Sequence, residues 1–315
     1  MQFMEIARAR GVRALVACVV TAGLCFAALS ASQQPPGALL ARIGGTSPFA
    51  FFVAAAGWLV LVSVQCLRWH LVASRVGKLS FSEALALRAI GNLANTVLPA
   101  RGGDAVRVEL FRALASTSRA AVVGAELADV WLDKIGWLPS LLLVCAVGSP
   151  PAWAARAAML MTVLIAAAYA LATCARRLAR RPDWLEAVLT GIAPPGRAGA
   201  WLAPLLITPL PWLLETAVLM GVGRVAGIEL GPTGAFVLLT AQNLALIVPT
   251  PAGLGAAEAG AASALVALGF PREASLTFAV VYRLGQLGAI VVAGVVAALL
   301  VARKLKRARA LAPAR

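Results

Sequence analysis

Hydrophobic runs recur along the whole chain, and two of them are broken in the same way. Uninterrupted runs fall at about 14–31, 48–67, 119–147, 156–175, 200–222 and 274–301, each near the roughly 20 residues that a bilayer's hydrocarbon core requires. Between them lie two apolar segments cut by Gly and Pro, about 83–117 and 233–270. The first break runs from Asn92-Leu93-Ala94-Asn95 through Pro99-Ala100-Arg101-Gly102-Gly103 to Asp104. The second runs from Asn243-Leu244-Ala245 through Pro249-Thr250-Pro251-Ala252-Gly253-Leu254-Gly255 to Glu258. Each is entered through an Asn and closed by a carboxylate. Twenty-five residues past Asp104 is Asp129, and twenty-five past Glu258 is Arg283, both inside apolar runs. Broken segments at matching places in two halves of a chain point to a transporter's binding site.

The positive charges give the expected topology. Arg8, Arg10 and Arg13 precede the first run; Arg68, Arg75 and Lys78 follow the second; Arg101, Arg107, Arg112 and Arg119 follow the first break. Arg176, Arg177, Arg180, Arg181 and Arg197 form a further group, and Arg303, Lys304, Lys306, Arg307 and Arg309 crowd the end. The connections near Arg42 and Gly148 are almost free of them. Because cytoplasmic connections collect Lys and Arg, both termini are expected in the cytoplasm of an inner-membrane, multi-pass protein. Stretches 68–82 and 101–119 then share one side, so the segment between them enters and returns. The same bookkeeping makes 233–270 a hairpin from the outer side. The expectation is an all-α polytopic bundle of about six full spans plus two re-entrant helical hairpins. It forms a single transmembrane domain, 1–315, with repeat halves 1–147 and 156–301. Three spans per half is an odd number, so the second half is inverted relative to the first. The N-terminal arginines and the run to Leu29 imitate a signal peptide, but the topology needs an uncleaved first helix.

Composition sharpens this picture. The chain is 61% hydrophobic and 13% charged, against about 45–50% and 25% in soluble domains. Its net charge of +15, from 28 Lys and Arg against 13 Asp and Glu, sits mostly in connections. With no aromatic-interleaved basic patch, nucleic acid is not expected as a partner. Cys18, Cys25, Cys66, Cys145 and Cys174 form no CxxC pair, and His70 is the one histidine. No metal site and no cofactor are expected. No GxSxG or HExxH motif occurs, so no catalytic residue is assigned and the chain is not expected to be an enzyme.

Charges inside apolar runs are rare and tend to be functional or paired. Glu126, Asp129 and Asp133 share one helical face beside Lys134, and that face is a candidate proton site. Arg283 and Gln286 share another face, Glu215 sits mid-run, and Arg88 lies inside the first broken segment. The candidate substrate-binding set is Arg88, Asn92, Arg101, Asp104, Asp129, Asn243, Glu258 and Arg283. It would form a polar midplane cavity for an anionic headgroup. The same charges also suit ion pairs that lock hairpins to spans, and Arg283 is expected within salt-bridge reach of Asp104, Asp129 or Glu258. Arg107, Arg112 and Arg119 read as interfacial residues whose charges snorkel to phosphates.

The segments Pro99-Ala100-Arg101-Gly102-Gly103-Asp104-Ala105-Val106-Arg107, Asp129, Pro249-Thr250-Pro251-Ala252-Gly253-Leu254-Gly255-Ala256-Ala257-Glu258 and Tyr282-Arg283 resemble the lysylphosphatidylglycerol synthase transmembrane-region family, also described as flippase-like. The resemblance covers nearly the whole chain. It implies a lipid transporter acting on membrane lipids, alone or beside a lipid- or glycolipid-synthesis enzyme. The chain stops at Arg315, so the soluble synthase domain is not expected here. Two rival readings stay open. One is a membrane enzyme of lipid, glycolipid or hopanoid biosynthesis, with Asp104, Asp129 and Glu258 as acid and base groups. The other is a non-transporting partner subunit.

Overall fold

The computed structural model describes residues 36–311 except 99–101, 148–150, 178–181, 193–200 and 247–253. The described residues form helices and no strand. In chain order they are α1 (Pro36–Gly45), α2 (Pro48–Ala73), α3 (Phe81–Val97), α4 (Gly102–Ala115), α5 (Arg119–Val147), α6 (Ala152–Arg176), α7 (Asp183–Ile192), α8 (Leu202–Ile207), α9 (Leu210–Val225), α10 (Pro232–Ala245), α11 (Ala256–Ala267) and α12 (Arg272–Leu311). Among the described residues, three stretches are long and apolar enough to cross a membrane: Pro48–Ala73, Leu202–Val225 and Arg272–Lys304. The 29-residue α5 matches the expected third run, 119–147, but carries Glu126, Asp129, Asp133 and Lys134 within it. The expected first span, 14–31, lies outside the described residues.

Helix starts are written locally. Ser47 accepts the Phe49 N–H at 3.3 Å, with Pro48 at the first helical position of α2, where proline's missing N–H costs nothing. Ser80 and Glu83 cap α3 reciprocally, the Ser80 N–H donating to Glu83 Oε2 at 2.8 Å and the Glu83 N–H to Ser80 Oγ at 3.3 Å. This is a capping box, which satisfies two backbone donors at once.

The two broken segments are antiparallel helical pairs. In the first, Gly91 backs onto Gly103 and Arg107, and Asn95 onto Gly103. A side chain at Gly103 would collide with the Gly91 carbonyl, so the close approach of α3 and α4 requires glycine there. In the second, Gly260 backs onto Ala241 and Ala245, and Gly234 onto Leu268. The four helices have 17, 14, 14 and 12 residues. At about 1.5 Å per residue, none alone covers a hydrocarbon core of about 30 Å.

The long helix α12 is the ruler for both pairs. Glu83 at the start of α3 meets Lys304, and Leu93 and Ala89 pack on Gly294. Val97, four residues and about 6 Å further, reaches the level of about residue 290, leaving about 27 Å of α12 beyond it. From the other end, Ala261, Ala264 and Leu265 of α11 cluster with Phe278, Ala279 and Tyr282, and Glu258 meets Arg283. The returning helix α11 therefore starts level with about residue 285. Both pairs reach the middle of α12, from opposite ends.

Each pair has its own core. Trp69, Leu87, Val108 and Phe111 fill one between α2, α3 and α4. Trp137, Trp212 and Phe236 stack in the other, with ring centroids 5.6 and 6.0 Å apart. Two helices were not expected from the hydropathy. α1 occupies the stretch read as an outer connection. α7 lies within the arginine-rich connection and packs on α5 where Gly124 faces Gly191 and Val188. A ten-residue helix between charge groups is too short to register as an apolar run.

Candidate functional site

The returning helix of each broken pair opens with a carboxylate at its third residue, Asp104 in α4 and Glu258 in α11. Helix N-termini carry partial positive charge and free N–H groups, so a carboxylate there is favoured by the local backbone alone. In the second pair the chain turns at Gly255, with φ +78°, and the Gly255 N–H donates to Glu258 Oε2 at 2.7 Å. In the first pair the break is closed by Asn95, whose Oδ1 accepts the Gly103 N–H at 2.7 Å and whose Nδ2 donates to Asp104 Oδ1 at 3.3 Å. Arg101 and the tip 247–253 lie outside the described residues.

A dense charge network surrounds the first pair. Arg68 of α2, with a side chain only 1% exposed, donates from Nε to Asp129 Oδ1 at 2.8 Å and from Nη2 to Asp133 Oδ1 at 3.0 Å. Arg88 of α3 donates from Nη1 to Asp129 Oδ2 at 3.3 Å and from Nη2 to Gln65 Oε1 at 3.0 Å. Arg107 of α4 grips Glu126 with both ends of its guanidinium, Nε to Oε1 at 2.9 Å, and lies 3.5 Å from Asp104. Trp69 completes this knot: its Nε1 donates to Glu126 Oε1 at 3.0 Å, and its ring lies 5.3 Å from the Arg107 guanidinium. Lys134 pairs with Asp133 at 3.2 Å and sits over the Trp212 ring, while Trp212 Nε1 donates to the Asp133 carbonyl at 2.8 Å. Arg68, Arg88, Arg107 and Lys134 thus stand against Asp104, Glu126, Asp129 and Asp133, and the charges balance.

Two expectations are corrected by this geometry. Arg107 is not interfacial: it is 4% exposed and bound to Glu126. Arg68 is not a connection residue, because α2 continues to Ala73 and its charge is met by two carboxylates. On the face read as a candidate proton site, Glu126, Asp129 and Asp133 are each held by an arginine. Arg112 and Arg119 are exposed, as expected, and both pair with Glu109. Hydropathy misjudged Arg68 and Arg107 because it counts a charge without its partner. The usable signal was the Gln65, Arg68 and Trp69 spacing, which puts three polar groups on one helical face.

A second polar group lies against the other pair. Arg283 of α12 has its Nε 3.1 Å from Glu258 Oε1, as the repeat predicted. The two are close enough to attract but are not aligned as a hydrogen bond, and both atoms are buried without one. Arg283 Nη1 donates to Gln286 Oε1 at 3.2 Å, Gln286 Nε2 to Tyr282 Oη at 2.8 Å, and Tyr282 Oη to Glu215 Oε1 of α9 at 3.3 Å. Asn92 is half-buried on α3, and Asn243 is half-buried on α10 with its Nδ2 donating to the Leu239 carbonyl at 3.0 Å. The predicted residues therefore divide between the two pairs: Arg88, Asp104 and Asp129 lie with the first, Glu258 and Arg283 with the second. Among the described residues no His, Cys, Asp and Glu group has the arrangement of a metal site.

A family model described as the lysylphosphatidylglycerol synthase TM region matches residues 14–311. Among curated proteins, no match was found.

Proposed function

The chain belongs to the lysylphosphatidylglycerol synthase TM-region family, and from that premise we propose that it moves a lipid with an anionic or modified headgroup across the cell's inner membrane. The observation that carries this reading is the pair of broken helical segments that reach the middle of α12 from opposite ends. Non-helical backbone at membrane depth is tolerated only where it is buried in protein or lines a wet cavity. Two such breaks at one depth supply a polar path for a headgroup while the acyl chains remain in the bilayer. In this reading α3–α4 and α10–α11 are re-entrant hairpins of an inverted repeat, entering from the cytoplasmic and outer sides respectively. With no nucleotide-binding motif in the sequence, movement is passive or ion-coupled.

Among the described residues, Arg283 is the cation best placed to receive the headgroup. Arg68 and Arg88 each bury one further nitrogen without a hydrogen bond, Nη1 and Nε, but both guanidiniums, like that of Arg107, are already held by hydrogen bonds to carboxylates. The Arg283 Nε makes no hydrogen bond, and an anionic oxygen can take it while Glu258 keeps its bond to the Gly255 N–H. The test is lipid translocation in reconstituted vesicles. Arg283→Gln should slow it by about tenfold or more, equivalent to about 1.4 kcal/mol, in protein that still inserts and folds. Arg307→Gln, in the redundant basic tail, should change nothing. An Arg283→Gln protein that moves lipid as fast as the parent would make the Arg283–Glu258 pair a structural one and remove this mechanism.

A further inference from the structure

Seven carboxylates within the broken pairs and α5 have an arginine or lysine within salt-bridge distance: Glu83, Asp104, Glu109, Glu126, Asp129, Asp133 and Glu258. Glu215 differs. It lies in the middle of α9, inside the Leu210–Val225 stretch, and among the described residues its partner is the Tyr282 hydroxyl at 3.3 Å. Tyr282 is 2% exposed, so Glu215 is turned toward the bundle interior. The groups that act on it from neighbouring helices are Asp133 and Lys134 of α5 and Arg283 of α12, none of them in salt-bridge contact with it. α10 has no titratable side chain, and α2 meets α9 through Val53 and Gly57.

A carboxylate in this setting resembles none of the others. Taking an isolated carboxylate out of water is so unfavourable that such a group ordinarily neutralises instead. An arginine removes that penalty for Asp129 and Glu126, whereas a tyrosine hydroxyl offers one hydrogen bond and no charge. We propose that Glu215 is a proton-binding site of the bundle. It takes up one proton to become a neutral acid and releases it to become a carboxylate. Tyr282 holds it through both states at the end of the Arg283–Gln286–Tyr282 chain. That chain joins it to the residue argued above to meet the headgroup, so proton uptake and headgroup binding act on one hydrogen-bonded unit. The link to lipid movement rests on the proposed function; proton binding does not.

The direct test uses the unaltered protein. Dicyclohexylcarbodiimide is apolar and adds to protonated carboxylic acids within membranes, and the modified residue is read by mass spectrometry of the purified protein in nanodiscs. Glu215 should be modified more than Asp129, Asp133 or Glu258, because a cation lies on each of those three acids and a neutral hydroxyl on Glu215. Its modification should fall as pH rises. In parallel, infrared difference spectra across a pH step should show a protonated-carboxyl band that Glu215→Gln lacks. Either signal assigned to Glu215 supports the site. Glu215 labelling no stronger than that of the paired acids, with no band lost in Glu215→Gln, overturns it. Should Glu215→Gln fail to fold, labelling of the unaltered chain decides alone. A protein that labels at Glu215 but moves no lipid keeps the proton site and loses the transport reading.

Discussion

Arg68 shows how a charge is sustained in an apolar run. Its guanidinium spans Asp129 and Asp133, and removing it leaves both acids short of a partner. Breaking a buried pair by removing one member costs about 3–5 kcal/mol, because the other charge stays buried. Arg68→Met should therefore lower the thermal midpoint in detergent by many degrees, whereas Arg112→Ala should cost less than about 1 kcal/mol, the range of an exposed pair. Equal melting of the two variants would contradict the network. At this scale the sequence carried Arg283 and Glu258, because the 25-residue offset from the closing carboxylate of each broken segment into the next run repeats. It did not carry Arg68 or Arg107. Their partners lie 61 and 19 residues away, and a one-dimensional charge count reads an arginine near the end of a run as the end itself.

Among the elements, glycine decides which helices can touch. Gly103 faces the Gly91 carbonyl and lies 2.7 Å from Asn95 at the position a Cβ would take. Any side chain there must push α3 and α4 apart and break the Asn95 bond that closes the turn. Gly103→Val should cost several times the roughly 1 kcal/mol by which glycine lowers helix propensity. Gly37→Ala in α1, with nothing within 4 Å of the new atom, should be neutral or stabilise by about 0.5–1 kcal/mol. Melting curves of the two variants check this, and a Gly103→Val protein as stable as the parent would mean that the helices of the first pair are not held together this closely. Most elements were legible: the run at 119–147 and the breaks inside 83–117 and 233–270 appear as α5 and the two helical pairs. The short helix α7 was not. Its contribution is a tertiary contact through Gly191 and Leu189, which periodicity over ten residues between arginine groups does not reveal.

At the scale of the molecule, the hydropathy and the family match agree on a multi-pass helical membrane protein. The proposed function adds orientation. If α3–α4 is re-entrant, its two ends share one side; if the second half is inverted, the ends of α10–α11 share the other. The Lys304–Glu83 pair ties the far end of α12 to the mouth of the first hairpin, so Lys304 belongs with Lys78 and Arg112. Single cysteines placed in a cysteine-free background and labelled from either face of sealed vesicles test this account most directly. Positions 78, 112 and 304 should react from the cytoplasmic face, and positions 42, 227 and 269 from the outer face. Labelling of positions 78 and 112 from opposite faces would turn the first hairpin into a crossing, and the inverted repeat with its midplane passage would fall with it.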